Sequence, residues 1–487
     1  MERRLFVLAA CAFIVAAVLG SAWITGQFTT PAVDRTDGYV SELAARDQPW
    51  TRLFRVSDAL SGLACALGVA LVPRVAREWP GWLALAAFGL LTFVAAVFPL
   101  DCAALSDPLC ARRETSSGHL VHALAGVLGA VAVLAAMVLL SARWRSWVSW
   151  LFTWLGLAAT LLTAVALAAG HGVGLAHRAQ LTMVAVWLVY VALHLLVSDW
   201  DDPDAEAEPR VAPGRMGGVG GARVLPGTAD QTAGYGKPHV VVAGDGPAVL
   251  ITAGHGGAWF HWDAVADRLA GSRRVIRFDR PGLGLSPRSP APPTLYAEVA
   301  RLAALSPSHP EQVTVVAHGV ACWHAEAFAR LHPLCLARLV LVDPACAGGR
   351  RPLPFAGAAG RWLPALGGTW GATFLARLTG PAAHRLLTGL PDPSGVYSMG
   401  KVPAAMAGEW LARRDMAADL HRLRAEKPFP DVPVTVISAG RTGERGDGCL
   451  ERLADELGAE HVRLPGSGRQ IPLRAPQAVA DAVSALA

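Results

Sequence analysis

Lysine is nearly missing from this chain. Only Lys237, Lys401 and Lys427 occur among 487 residues, so arginine carries the net charge of +5. A small basic excess without lysine-rich runs or interleaved aromatics excludes a nucleic-acid surface, because phosphate binding needs clustered charge. Cysteines at metal-ligand spacing are missing too. Cys11, Cys65, Cys102 and Cys110 lie in the first part, and Cys322, Cys335, Cys346 and Cys449 in the second, with no Cys-x-x-Cys among them. That pattern argues against a zinc site and against a disulfide framework. Neither a metal nor a cofactor is expected.

What is present is apolar surface. The chain is 53% hydrophobic, with a mean hydropathy of +0.37. The excess is concentrated in the first 200 residues. Six segments there are long and apolar enough to span a bilayer, at about 5–26, 56–72, 81–100, 118–140, 147–169 and 179–197. The first follows Met-Glu-Arg-Arg, as in a signal peptide. Its apolar stretch is too long for one, and five more spans follow, so a retained helix is expected. The second is short and carries Asp58.

Six spans put both ends of this half on one side. Arg3, Arg4, Arg74, Arg77, Arg143 and Arg145 fall in the connections sharing that side. Arg35, Arg46, Arg112 and Arg113 are diluted over longer opposite loops. The positive-inside rule then makes the N-terminus and the C-terminal half cytoplasmic. Cys102 and Cys110 fall outside, either as a disulfide or as two unrelated thiols.

Ionisable residues gather near one membrane face: Asp101, Asp107, His119, His122, His171 and Arg178. His119 and His122 share a helix face. The cluster reads either as a metal, proton or lipid-headgroup site, or as residues that anchor helix ends and pair with one another. The run Phe98-Pro99 to Asp101-Cys102, then Gly118-His119 and His122, and later Gly174, Arg178 and Trp187 resembles the DUF998 family of bacterial six-helix membrane proteins, over about 5–197. The resemblance implies topology in a bacterial cell membrane and little chemistry.

Residues 198–237 combine an acidic run from Asp199 to Glu208 with a Gly/Pro-rich stretch. Such composition cannot form a core and reads as a flexible tether. Beyond it, short β-branched runs alternate with helical segments: Val240–Val242, Ala248–Thr252, Arg274–Phe278, Val313–Val316, Arg338–Val342 and Val434–Ser438. That alternation predicts a mostly parallel sheet covered by helices on both faces.

The punctuation between these runs is sharper. Gly254-His255-Gly256-Gly257 precedes Trp259 and Trp262. Asp279-Arg280-Pro281-Gly282 continues through Gly284 to Ser286. Val313 to Ala321 reads strand, tight turn, helix around His318-Gly319-Val320. Asp343-Pro344 and Gly468-Arg469 follow. In this order the set resembles the α/β-hydrolase superfamily over residues 238–487, with a helical cap at about 350–430. The resemblance implies one oxyanion-hole N–H from Gly257 and a second from Val320.

The implied triad departs from the family pattern. The nucleophile position is Gly319, which has no side chain. The base position is Arg469, which cannot accept a proton. The acid position, after Val434–Ser438, is open between Glu444 and Asp447. Asp343 is expected to be structural, and Cys322 to point into packing. His261 and His324 are weaker candidates.

The first expectation is therefore a membrane-anchored, non-catalytic hydrolase-fold protein. It would bind a small lipophilic or anionic ligand, or a partner protein, through His255, Trp259, His318 or Arg469. Two alternatives stay open. One is a membrane-bound hydrolase of an acyl substrate with an atypical nucleophile or activated water. The other places the function in the membrane half, at Asp101, His119, His122 and Arg178, with the second half regulatory.

Overall fold

A backbone in hydrocarbon has no water to bond, and a helix satisfies it internally. The apolar runs take that form in the computed structural model, which describes residues 2–73, 78–107, 110, 114–197, 237–289, 291–346, 356–439 and 444–485. Arg74, Arg77, Arg112, Arg113 and nearly all of the expected tether lie outside the described residues. The chain divides into two compact units, Met1–Arg210 with Thr369–Gly371, and Val211–Gly368 with Ala372–Ala487.

In the first unit, six helices are long and apolar enough to cross a membrane: Arg3–Thr29, Thr51–Leu71, Trp79–Val97, Ser117–Trp144, Trp147–Ala169 and Val173–Val197. The first is α1 (Glu2–Gly20) continued by α2 (Trp23–Thr29), and the other five are α3 to α7 in chain order. The second and sixth start several residues before the hydropathy pattern does. Their first turns carry Arg52, Arg55, His177 and Arg178, which lower hydropathy without breaking a helix. The Ser116 and Ser146 side chains accept N–H bonds at the starts of α5 and α6. Gly170, at φ +73°, ends α6. Phe13, Trp82, Met137, Leu140 and Trp187 are fully buried between the helices. α3 and α4 approach closely at two glycines, where a Cβ on Gly89 would stand 2.7 Å from the Gly62 carbonyl.

The second unit is built on a seven-stranded sheet in the order β1-β3-β2-β4-β5-β6-β7. The strands are β1 (Val240–Ala243), β2 (Ala248–Thr252), β3 (Arg274–Phe278), β4 (Val313–His318), β5 (Leu336–Val342), β6 (Val434–Ser438) and β7 (Glu460–Arg463). β1 runs antiparallel to β3, and the other pairs are parallel. Both faces of the sheet are covered. α9 (Leu295–Leu305), α10 (Ala321–Leu331) and α13 (Lys401–Glu426) pack on one side, and α8 (Asp263–Leu269) and α16 (Pro476–Ser484) on the other. β7 was not expected, because Glu-His-Val-Arg on a half-exposed edge carries no apolar run. Between β5 and β6 the chain forms α11 (Ala356–Leu366), α12 (Trp370–Thr388) and α13.

The reading against a disulfide framework is corrected, and of the two alternatives for Cys102 and Cys110 the disulfide is the one present. Cys102 is bonded to Cys110 and Cys346 to Cys449, the latter across 103 residues of sequence. Spacing carried no sign of the second pair, because only the sheet topology brings the chain after β5 beside α14 (Glu444–Leu457). Cys11, Cys65, Cys322 and Cys335 are free.

Candidate active site

The strand β4 is fully buried up to Ala317, which fixes where its end points. Gly319 follows at φ +59°, a conformation that favours glycine, and α10 begins at Ala321. The Gly319 N–H donates to the Val342 carbonyl at 3.0 Å, and its carbonyl accepts from Ala345 N–H at 3.1 Å. A Cβ built on Gly319 would meet only Gly254 Cα, at 3.9 Å. Open space therefore lies beside the elbow where a Cβ would stand. The Val320 N–H takes part in no described hydrogen bond.

The turn after β2 faces that space. Here one expectation is corrected: the Gly257 N–H donates to the Gly254 carbonyl at 2.9 Å and is not a free oxyanion donor. The Gly256 N–H donates to Glu409 Oε2 at 3.2 Å. The His255 N–H takes part in no described hydrogen bond. A tight turn consumes its own third N–H, which glycine spacing in the sequence does not reveal.

Behind the turn stands a buried ion pair. Arg280 Nε donates to Glu409 Oε1 at 2.6 Å, and its other nitrogens donate to the Ala253 and Gly254 carbonyls. Glu409 Oε2 lies 3.1 Å from His255 Nδ1. Burial alone would raise the Glu409 carboxyl, but Arg280 and His255 outweigh it and bring it down to about 2. Nothing in the sequence linked Glu409, on a cap helix, to the turn more than 150 residues earlier.

At the base position, Arg469 is 73% exposed and its Nε lies 3.7 Å from Asp343 Oδ2. Its backbone carbonyl stands 2.9 Å from His318 Nε2. Burial, partly opposed by that carbonyl, lowers the affinity of His318 for a proton. Asp343 was expected to be structural. It is buried at φ +41° and comes to the residue that stands for the base. The Glu444 and Asp447 side chains lie outside the described residues.

The remaining candidates are occupied elsewhere. Cys322 Sγ lies 3.2 Å from the Ala317 carbonyl inside the core, and burial pushes its thiol well up. Trp259 packs edge-on against His239 and Phe260, and its backbone N–H donates to Asp279 Oδ1 at 2.9 Å. His261 Nε2 meets His384 Nε2 at 2.9 Å, and neither nitrogen of the buried His324 has a partner. Between the segment after β3 and the cap helices lies a cavity of about 60 Å³, lined by Arg280, Glu298, Lys401 and Glu409 among others. That is room for about two waters, far below a ligand pocket of roughly 300 Å³.

In the first unit, the expected polar cluster is largely tied up. Asp101 accepts from the Ser116 N–H and hydroxyl, both at 2.8 Å, and lies 3.7 Å from Arg46 and 3.9 Å from His119. Those hydrogen bonds hold Asp101 below the usual carboxylate range. His122 Nδ1 bonds the Ala95 and Phe98 carbonyls. Arg178 Nη1 reaches the carbonyls of Arg35, Gly38 and Gly174. Among the described residues, no three His, Cys, Asp or Glu side chains are grouped to hold a metal.

Comparison with known families agrees with both halves. Residues 7–194 match the family described as a protein of unknown function, DUF998. Residues 240–482 match the alpha/beta hydrolase family. The chain carries a DUF998 domain and an α/β-hydrolase domain. Among solved structures, Cfl2 from Burkholderia cenocepacia is 24% identical, with a TM-score of 0.42, covering 55% of this chain and 99% of that one. An alpha/beta hydrolase fold protein from Burkholderia ambifaria is 21% identical, with a TM-score of 0.38, covering 54% and 99%. No curated protein matches the chain. In the α/β-hydrolase domain, Gly254 stands beside the elbow residue Gly319, and Asp343 is paired with Arg469.

Proposed function

We propose that the protein is held in a bacterial cell membrane by its DUF998 domain, and that its α/β-hydrolase domain binds a ligand at the elbow instead of cleaving one through a triad. A tether at 198–237 joins a membrane domain of 1–197 to a hydrolase-like domain of 238–487. The N-terminus and the hydrolase-like domain face the cytoplasm, by the arginine bias of the connections. The observation that carries the reading is Gly319: the left-handed elbow and the space above it are kept, and the nucleophile is not.

Arg469 supports the same reading. A guanidinium stays protonated and is no base, but it suits a carboxylate. Together with the uncommitted Val320 and His255 N–H groups, it favours an anionic head, either on a small molecule or on an acidic partner segment. Calorimetry of the full chain in detergent with hexanoate, and hexanol as the neutral control, tests this. Arg469→Ala is expected to weaken hexanoate binding about tenfold, the scale of a charge-assisted hydrogen bond. Unchanged affinity ends the reading.

A second reading rests on His255 and Glu409. A carboxylate on Nδ1 orients an imidazole so that Nε2 is left as the base. Water activated there would hydrolyse an acyl substrate without a nucleophile at Gly319. Turnover of an activated ester by the wild type, abolished in His255→Ala and kept in Cys322→Ser, supports this reading over the first.

A further inference from the structure

We infer that the membrane half contains a binding site for an amphiphile with a protonated amine head, and that Asp58 is its counter-ion. The helices of the DUF998 domain line a partly open cavity of about 690 Å³. That is within the range of ligand pockets, roughly 300–1,000 Å³.

The wall is divided in character. Phe88, Leu91, Leu134, Val184 and Leu188 supply an apolar surface. Asp58, Glu42, His122, His177, Gln180 and Thr160 supply polar groups. Asp58 stands seven residues into α3, about 10 Å along the helix from its start. His122, His177 and Gln180 lie early in α5 and α7. One end of the cavity is therefore polar, and the rest suits a hydrocarbon tail.

The charges on that wall separate Asp58 from its neighbours. Arg55 Nε and Nη2 each donate at 3.0 Å, to the Ala96 and Val97 carbonyls. Glu42 accepts from Leu105 N–H at 2.7 Å and from the Ser106 hydroxyl at 2.5 Å. The Gln180 amide donates to Thr160 at 2.9 Å. The membrane half has no lysine. Among the described residues, Asp58 has neither a hydrogen bond nor an ion pair. A carboxylate in low dielectric needs a partner, since an uncompensated charge there costs several kcal/mol. An ammonium head supplies that partner, while its tail fills the apolar wall. A role in carrying protons alone would leave that wall without a use.

Access from the bilayer is open. Val127 and Val131 line the cavity and are also 65% and 60% exposed on the bundle surface.

The test uses the full chain in phosphatidylcholine nanodiscs, with empty nanodiscs subtracted. Dodecylamine is the probe, and dodecanol and dodecanoate carry the same tail with a different head. The wild type is expected to bind the amine about tenfold tighter than either. Asp58→Asn should lose that preference and Asp58→Glu should keep it. Phosphatidylethanolamine that displaces dodecylamine identifies a lipid headgroup as the natural source of the ammonium; failure to displace it identifies a free amine. Equal binding of the three heads, or a preference kept in Asp58→Asn, overturns the proposal. The wild-type comparison of heads decides the matter even if the Asn variant does not fold.

Discussion

Arg469 Nε lies 3.7 Å from Asp343 Oδ2, joining the loop after β7 to the loop after β5 in front of Gly319. The guanidinium is mostly in water, so the pair adds little stability. Its interest is where it holds the carboxylate. Asp343 sits at φ +41°, with its N–H donated to the Ile437 carbonyl at 2.7 Å. A non-glycine residue in that region costs on the order of 1–3 kcal/mol and persists only where its surroundings require it.

That placement predicts the outcome of restoring the missing chemistry. A Gly319→Ser/Arg469→His variant puts a hydroxyl into open space and an imidazole beside Asp343. We expect it to hydrolyse p-nitrophenyl esters at least about tenfold faster than the parent. Serine at φ +59° should lower stability by roughly 1–3 kcal/mol. A variant no faster than the parent would count against the elbow as a place for this chemistry.

The clamp behind the turn should dominate local stability. Glu409→Gln leaves Arg280 buried without its counter-charge. Removing one partner of a buried pair typically costs about 3–5 kcal/mol. Chemical denaturation should show a loss of that order, while Glu311→Gln, in an exposed pair with Arg274, should cost less than about 1 kcal/mol.

Acid should destabilise the hydrolase domain through buried histidine. Burial drives His261 and His324 down to about 3 in the folded chain, against an ordinary 6.5. Between those values the unfolded chain binds protons that the folded chain refuses. Stability therefore rises with pH across that window and is lost as the pH falls from 6.5 toward 3. From pH 6.5 down to 4.5 the histidines act before Glu409, whose contribution fades only below its unfolded value of 4.5. His324→Leu should flatten this slope in thermal melts. At pH 7 it should be neutral or stabilising, because both ring nitrogens it removes are buried without partners.

The two disulfides test the proposed orientation. A cytoplasmic hydrolase domain would keep Cys346 and Cys449 reduced in cells, while Cys102 and Cys110, on the opposite side, would stay bonded. Alkylation in intact cells followed by a gel-shift assay should find Cys346 and Cys449 free. Finding both pairs oxidised would place the hydrolase domain outside. In the purified protein, a reductant should lower the melting temperature, since a closed loop of about 100 residues contributes on the order of 4–5 kcal/mol.

Composition and order were enough to show the two halves. Six apolar runs had to become helices, because lipid leaves the backbone no other partner. Six of the seven strands were legible as β-branched runs, and the glycines at 254–257 and 319 marked the turns at their ends. That Gly319 and Arg469 stand in the marked motifs could be read directly, since an identity needs no geometry. Tertiary structure alone decided the rest. Spacing cannot say that Gly257 uses up its own N–H, that Glu409 reaches back to His255, or that Arg469 meets Asp343. Nor could it show that Asp58, first visible as a flaw in an apolar span, lines a cavity and has no partner among the described residues. Apolar pattern is a property of each segment. Hydrogen bonds, ion pairs and cavities belong to pairs of segments that only the fold brings together.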